Sequence, residues 1–240
     1  MRNINAIALR EVRAYFQSPI AYIVLFLFAG VSAFVFFNVK KFFAAERAEL
    51  RGFFEIIPLV FLFLVPGLTM RLWSEEKKAG TLELLMTLPV KKHQYVIGKF
   101  LGAWTLVAVA LLFTAVIPVS VSMLGPLDMG PVLGGYLAAF LLGGTFVAIG
   151  IFMSAVTENQ IVALLGAMIV GLLLYIPGTE QFLAFLPEAW VGTAQSVGLG
   201  SRFQSIERGV VDFRDLLYYV SLIFLFLAAN VAVLVGRRWN

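Results

Sequence analysis

Ionisable side chains gather in one stretch of this chain. Residues 71–99 hold Arg71, Glu75, Glu76, Lys77, Lys78, Glu83, Lys91, Lys92, His93 and Lys99. Acids, bases and an imidazole are all present, yet no nucleophile, base and orienting group fall into a recognisable catalytic set. The chain has no cysteine, which excludes a disulfide framework, a Cys-ligated zinc and a thiol nucleophile. Its single histidine sits in the charged turn Lys91-Lys92-His93-Gln94 and reads as solvated, because a metal site needs convergent ligands. No Gly-x-x-x-x-Gly-Lys-[Ser/Thr] loop occurs, so ATP is not hydrolysed here through such a loop. The sequence therefore predicts no catalytic residue, no metal ligand and no cofactor on this chain.

What remains is the chemistry of contact. Gly80 and Pro89 bracket Thr81, Leu82, Glu83, Leu84, Leu85, Met86, Thr87 and Leu88, room for about two helical turns. In a helix over 80–88, Leu82, Leu85 and Met86 share one face, with Leu84 and Leu88 beside it. Glu83 falls near the helix start, where a negative charge meets the positive end of the dipole. Glu75, Glu76 and Lys77 supply a charged rim. An apolar knob rimmed by charge suits docking to another protein. A helix lying Leu-face down on the inner leaflet explains the same pattern, and the residues leave both readings open.

The elements that hold this stretch are apolar. The chain has 240 residues, mean hydropathy +0.94, 61% hydrophobic and 13% charged residues. A soluble domain carries about twice that charged fraction. Lipid, rather than a core, is the sink for such side chains. Six spans are predicted, over about 19–39, 53–72, 95–124, 131–156, 161–176 and 216–235. Pro58, Pro66 and Gly67 should kink the second. Ile4, Ile7, Ala8, Val12, Tyr15 and Phe16 recur at helical spacing, which predicts an amphipathic interfacial helix over 1–17 and not a cleavable signal. Residues 180–201 are half apolar and broken by Pro187, Gly192, Gly198 and Gly200, as in a re-entrant or interfacial hairpin. Arg237-Arg238-Trp239 reads as an interfacial anchor. Thr157 and Gln160, around Glu158 and Asn159, have capping-box spacing before the fifth span.

With six crossings the termini share a side. Placing them inside puts Arg2, Arg10, Arg13, Arg71, Lys77, Lys78, Lys91, Lys92, Lys99, Arg237 and Arg238 in the cytoplasm, 11 cations against 7 outside, which favours N-in and C-in. The net charge of +4 suits anionic lipid or an acidic partner. It is a poor nucleic-acid signal, since the cations are scattered among spans. No span centre holds a clear ionisable residue, and no repeat or filter motif is evident, against an ion-coupled carrier or selective channel. Small residues four apart (Gly98 and Gly102; Gly135, Ala139 and Gly143; Ala167 and Gly171) let helices approach closely. Packing within the chain is expected ahead of a dimer seam.

The run Thr69-Met70-Arg71-Leu72-Trp73-Ser74-Glu75-Glu76-Lys77-Lys78-Ala79-Gly80-Thr81-Leu82-Glu83-Leu84-Leu85-Met86-Thr87-Leu88-Pro89-Val90 resembles the coupling segment of ABC-2 type transporter permeases. Ser18-Pro19-Ile20-Ala21-Tyr22, Gly98-Lys99-Phe100-Leu101-Gly102-Ala103, Glu158-Asn159-Gln160-Ile161-Val162-Ala163 and the run from Glu207 to Tyr218 are similar to the gliding-motility-associated (GldF-like) branch. Lys91 stands where many relatives have a small polar residue.

The resemblance implies an all-α, type V exporter-like permease forming one domain over 1–240. Two such subunits, identical or distinct, would pair in a bacterial cytoplasmic membrane and bind two ABC ATPase subunits, which hold the ATP and Mg²⁺. It implies that Glu75, Glu76, Lys77 and 80–88 form the ATPase-coupling interface, with Thr157, Glu158, Asn159 and Gln160 as a second contact. Export of an unidentified substrate would follow. A membrane anchor tying an ATPase to envelope machinery is the alternative.

Overall fold

The computed structural model describes residues 2–44, 49–87 and 89–236, and every regular element among them is helical. Glu46, Arg47, Leu88 and the Arg237-Arg238-Trp239 anchor lie outside the described residues. Six helical stretches are long and apolar enough to cross a membrane: Pro19–Val39, Arg51–Lys78, Lys92–Ser122, Met129–Val156, Gln160–Gly178 and Phe213–Gly236.

The chain opens with α1 (Arg2–Phe16). Ser18 Oγ then accepts from the Ile20 N–H at 3.2 Å, and Pro19 starts α2 (Pro19–Phe34), as their capping and φ preferences dictate. The second crossing is three helices end to end: α3 (Arg51–Phe54), α4 (Ile57–Thr69) and α5 (Arg71–Lys78). Pro58 lies in the first turn of α4, so Pro66 is the proline inside that helix. After α6 (Thr81–Thr87) come α7 (Lys92–Phe113) and α8 (Val116–Ser122), which share the third crossing. The Lys91 side chain makes no capping hydrogen bond to α7.

The fourth crossing, α9 (Met129–Val156), is the centre of the molecule. Its apolar window is 78% buried, against 28%, 22% and 17% for the first, fifth and sixth crossings. A helix apolar on all sides belongs inside, and small residues let its neighbours close in. A Cβ on Gly150 would stand 1.9 Å from Thr69 Oγ1, and one on Gly135 would stand 2.5 Å from the Phe54 ring. Gly98 and Gly102 likewise admit Ile7 and Glu11 of α1 at 2.7 Å. These small-residue rows pack within the chain.

The fifth crossing begins at α10 (Gln160–Tyr175). Its cap is Asn159, whose Oδ1 accepts from the Ile161 N–H at 2.9 Å, while Thr157 Oγ1 accepts from the Asn159 N–H at 3.1 Å. The expected capping box is thus displaced by two residues, because an Asn side chain reaches its own helix start. Residues 180–201 resolve into α11 (Glu180–Leu183), α12 (Glu188–Val197) and the start of α13 (Leu199–Glu207). No residue of α12 is buried, whereas α13 buries Leu199, Phe203 and Ile206. Arg202 Nη1 donates to Asp215 Oδ1 at 2.5 Å, fixing α13 to α14 (Phe213–Gly236).

Candidate functional site

The polar stretch found in the sequence is built on an arm. The second crossing, expected to end near residue 72, continues to Lys78. It runs on as α5, so Glu75, Glu76 and Lys77 lie on a helix continuous in direction with a span. Thr69 Oγ1 donates to the Val65 carbonyl at 2.9 Å. At Met70 the helix is interrupted, and Ser154 of α9 repairs it. Ser154 Oγ accepts from the Trp73 and Ser74 N–H groups at 2.9 and 3.1 Å and donates to the Met70 carbonyl at 2.8 Å. Buried backbone groups need such partners.

Gly80 ends the arm at φ +70°, a left-handed conformation that side chains disfavour by roughly 1–2 kcal/mol. Its N–H donates to the Lys77 carbonyl at 3.0 Å. Thr81 Oγ1 donates to the Glu76 carbonyl at 3.2 Å, and α6 turns away. Leu82 and Leu85 of the expected common face turn inward together. Leu82 and Leu85 are half-buried against the chain's own core, whereas Thr81, Glu83 and Leu84 are exposed, Leu84 by 68%. Among the described side chains of α6 the outward apolar one is therefore Leu84, and Leu82 with Leu85 anchor the helix.

A buried ion cluster stands behind the arm. Lys99 of α7 is 2% exposed. Its Nζ donates to Glu76 Oε1 at 2.9 Å, Glu11 Oε1 at 3.1 Å and the Leu72 carbonyl at 2.8 Å, and lies 4.8 Å from the Trp73 ring centroid. The sequence reading treated Lys99 as one more cytoplasmic cation. The signal it missed is Glu11, an acid inside the Ile7, Ala8, Val12, Tyr15 stripe of α1. That stripe is covered by α7, so the expected lipid-facing side of α1 is a protein contact. Tyr15 is buried there and donates its hydroxyl to the Leu68 carbonyl at 3.2 Å. Burial first, and Glu11 second, push its pKa above the usual tyrosine value, with Arg71 opposing.

Lys77 joins the two regions singled out in the sequence. Its Nζ donates to the Ala155 carbonyl, and to the Thr157 carbonyl at 3.5 Å. The turn holding Thr157, Glu158, Asn159 and Gln160 therefore stands beside the arm. Lys92 Nζ donates to the Leu234 carbonyl at 2.7 Å, bringing the end of α14 to the same end of the bundle. Among the described residues no three His, Asp or Glu side chains group as metal ligands.

The assembled site is a short helix with one exposed leucine, carried on a membrane helix and braced by ions. A family model described as ABC-2 family transporter protein matches residues 29–234. The chain belongs to that family. No curated protein matches it. The ABC-2 chain is thus a multi-pass membrane permease of the ABC transporter class, whose members work with ABC ATPases. The matched segment starts after α1, so Glu11 lies outside it while Glu76 and Lys99 lie within.

Proposed function

We propose that this ABC-2 permease exports a substrate with energy from ATP hydrolysed on separate ATPase subunits, and that α6 is the coupling helix. Two permeases, identical or distinct, and two ATPases make the working complex, in a bacterial cytoplasmic membrane with both termini inside. Similarity to the gliding-motility-associated branch supports that placement. Glu75, Glu76, Lys77, Gly80, Thr81, Leu82, Glu83, Leu84, Leu85, Met86 and Leu88 form the coupling element, and Thr157, Glu158, Asn159 and Gln160 form a smaller contact.

The observation that carries this reading is the braced arm. An ATPase motion becomes a membrane motion only through a contact that differs between two states, and through a lever that does not bend. The arm supplies the lever: α6 is fixed to α5 at Gly80 and Thr81, α5 to α9 through Ser154 and Lys77, and α5 to α1 and α7 through Lys99. Leu84 and Glu83 are left outward for a partner cleft.

The test is reconstitution with the ATPase that co-purifies from native membranes. Leu84→Asp and Glu83→Arg should each abolish ATPase binding while the permease stays monodisperse in detergent. Binding and substrate-stimulated ATP hydrolysis equal to wild type in both variants would reject α6 as the contact.

A further inference from the structure

We infer that the end of the bundle opposite α6 carries a binding site for a small organic ammonium ion. That end is set by contacts: Phe54 at the start of the second crossing meets Gly135 in α9, and Gly134 of α9 meets the Ile206 carbonyl of α13. A cavity of about 300 Å³ lies between these elements, a volume at the small end of ligand pockets. Phe54, Leu127 and Val132 form its apolar wall. Glu207 lines it, 4% exposed, and its Oε2 is buried just behind the wall with no hydrogen-bond partner among the described residues. A buried carboxylate oxygen without a partner is costly and calls for one.

Three other charged groups on the cavity have partners. Arg208 pairs with Glu180 at 2.7 Å, Arg51 with Glu55 at 3.3 Å, and Asp128 Oδ1 accepts from the Gly130 N–H at 3.0 Å. Glu49 lines both this cavity and an adjoining one of about 430 Å³. The charge left over is therefore negative, and its buried member is Glu207, Glu49 being exposed. Apolar walls around one buried carboxylate fit an ammonium group on a carbon skeleton. A divalent metal needs several converging oxygens, and among the described residues no three acids group in that way. The electrostatics agree. Burial, then Glu55, push the Glu207 carboxyl from 4.5 up to about 7, with Arg51 and Arg208 opposing and Glu180 adding. Tyr175 is within electrostatic reach. An arriving cation takes the place of the proton, so affinity rises as pH rises through about 7.

The experiment uses the full chain in nanodiscs of zwitterionic lipid, titrated calorimetrically with benzylammonium and, as the neutral control, benzyl alcohol. Benzylammonium should bind at about pH 8.5 and about thirtyfold more weakly at about pH 5.5. Glu207→Gln should weaken it by about tenfold or more at the higher pH, and Glu188→Gln, on exposed α12, should leave it unchanged. Arg208→Gln, which removes a competing cation but leaves Glu207, should tighten binding, and this arm stands even where Glu207→Gln fails to fold. Equal affinity for benzyl alcohol, equal affinity in Glu207→Gln, weaker binding in Arg208→Gln, or tighter binding of calcium than of benzylammonium would each overturn the assignment.

Discussion

Lys99 holds the most charged buried contact in the molecule, and its worth lies in what its removal strands. Glu11 and Glu76 expose 12% and 19% of their side chains, so Glu76 would lose its counter-charge in a region of low dielectric and Glu11 would keep only Arg10, an exposed side chain at 3.2 Å. Breaking such a pair from one side costs about 3–5 kcal/mol, far more than the pair contributes against a well-packed apolar substitute. Lys99→Met should therefore lower the thermal unfolding midpoint sharply. Adding Glu11→Gln and Glu76→Gln should recover most of the loss, whereas Lys78→Met, at an exposed position, should change stability by no more than about 0.5 kcal/mol. A triple variant as unstable as Lys99→Met would mean that the lysine acts through packing of its stem and not through charge. Ser154 invites the same reasoning on neutral groups. Ser154→Ala leaves the Trp73 N–H unpaired at roughly 1–3 kcal/mol, and faster hydrogen exchange at that amide reports it. At Glu207 the sign is set by a carboxyl raised from 4.5 to about 7. The folded state holds this proton more tightly than the unfolded state, so its contribution is full below 4.5 and is lost as pH rises through about 7. Glu207→Gln should then narrow the stability gap between pH 5 and pH 8, read as unfolding midpoints at the two values.

The arm is the unit that sequence reading recovered only in part. The short helix between Gly80 and Pro89 was legible because Gly and Pro punctuate the backbone strongly and the residues between them are good helix formers. Its orientation was not. A period of 3.6 tells which leucines share a face but not which face meets the chain's own core, and here Leu82 and Leu85 turn inward while Leu84 stays out. The continuation of the second crossing through Glu75, Glu76 and Lys77 was hidden for a related reason. Charge density reads as a loop, yet two of these three residues find partners on other elements, Glu76 on Lys99 and Lys77 on the Ala155 carbonyl. Long-range pairs of that kind leave no periodic trace. The buried cluster itself had a trace in Glu11, which interrupts an apolar stripe at helical spacing. From this division a discriminating prediction follows at the hinge of α5 and α6. Gly80→Ala forces a side chain into φ +70°, costing about 1–2 kcal/mol or re-aiming α6. Because no other atom lies within 4 Å of the added Cβ, the permease fold should survive. ATP hydrolysis in the reconstituted complex should lose its response to substrate while basal hydrolysis on the ATPase persists. Unchanged coupling in Gly80→Ala would show that the direction of α6 is set by the partner.

For the whole molecule, the arrangement of burial separates what faces lipid from what faces protein. The outer crossings expose side chains such as Phe26, Leu173 and Phe224, and exposed apolar residues spread over long helices suit a hydrocarbon solvent. The crossings were legible from hydropathy alone because an apolar segment of about 20 residues can satisfy its own backbone polar groups in lipid only as a helix. Which one would be central was not, since α9 differs from its neighbours less in hydropathy than in its small residues. The two polar ends also differ in kind. One carries Lys77, Lys92, Lys99 and the exposed α6. The other carries the Arg202–Asp215 and Arg208–Glu180 pairs, the Glu207 cavity and the exposed α12. In the proposed orientation the first end, with its excess of cations, faces the cytoplasm, where Lys and Arg are retained during insertion. The chain has no cysteine, so single introduced thiols report the side without background. A membrane-impermeant maleimide added to intact cells should label Trp190→Cys, 64% exposed on α12, and should reach Lys91→Cys, beside α6, only after permeabilisation. Labelling of Lys91→Cys in intact cells at the rate of Trp190→Cys would invert the molecule, place α6 beyond the reach of a cytoplasmic ATPase, and leave the braced arm without an engine.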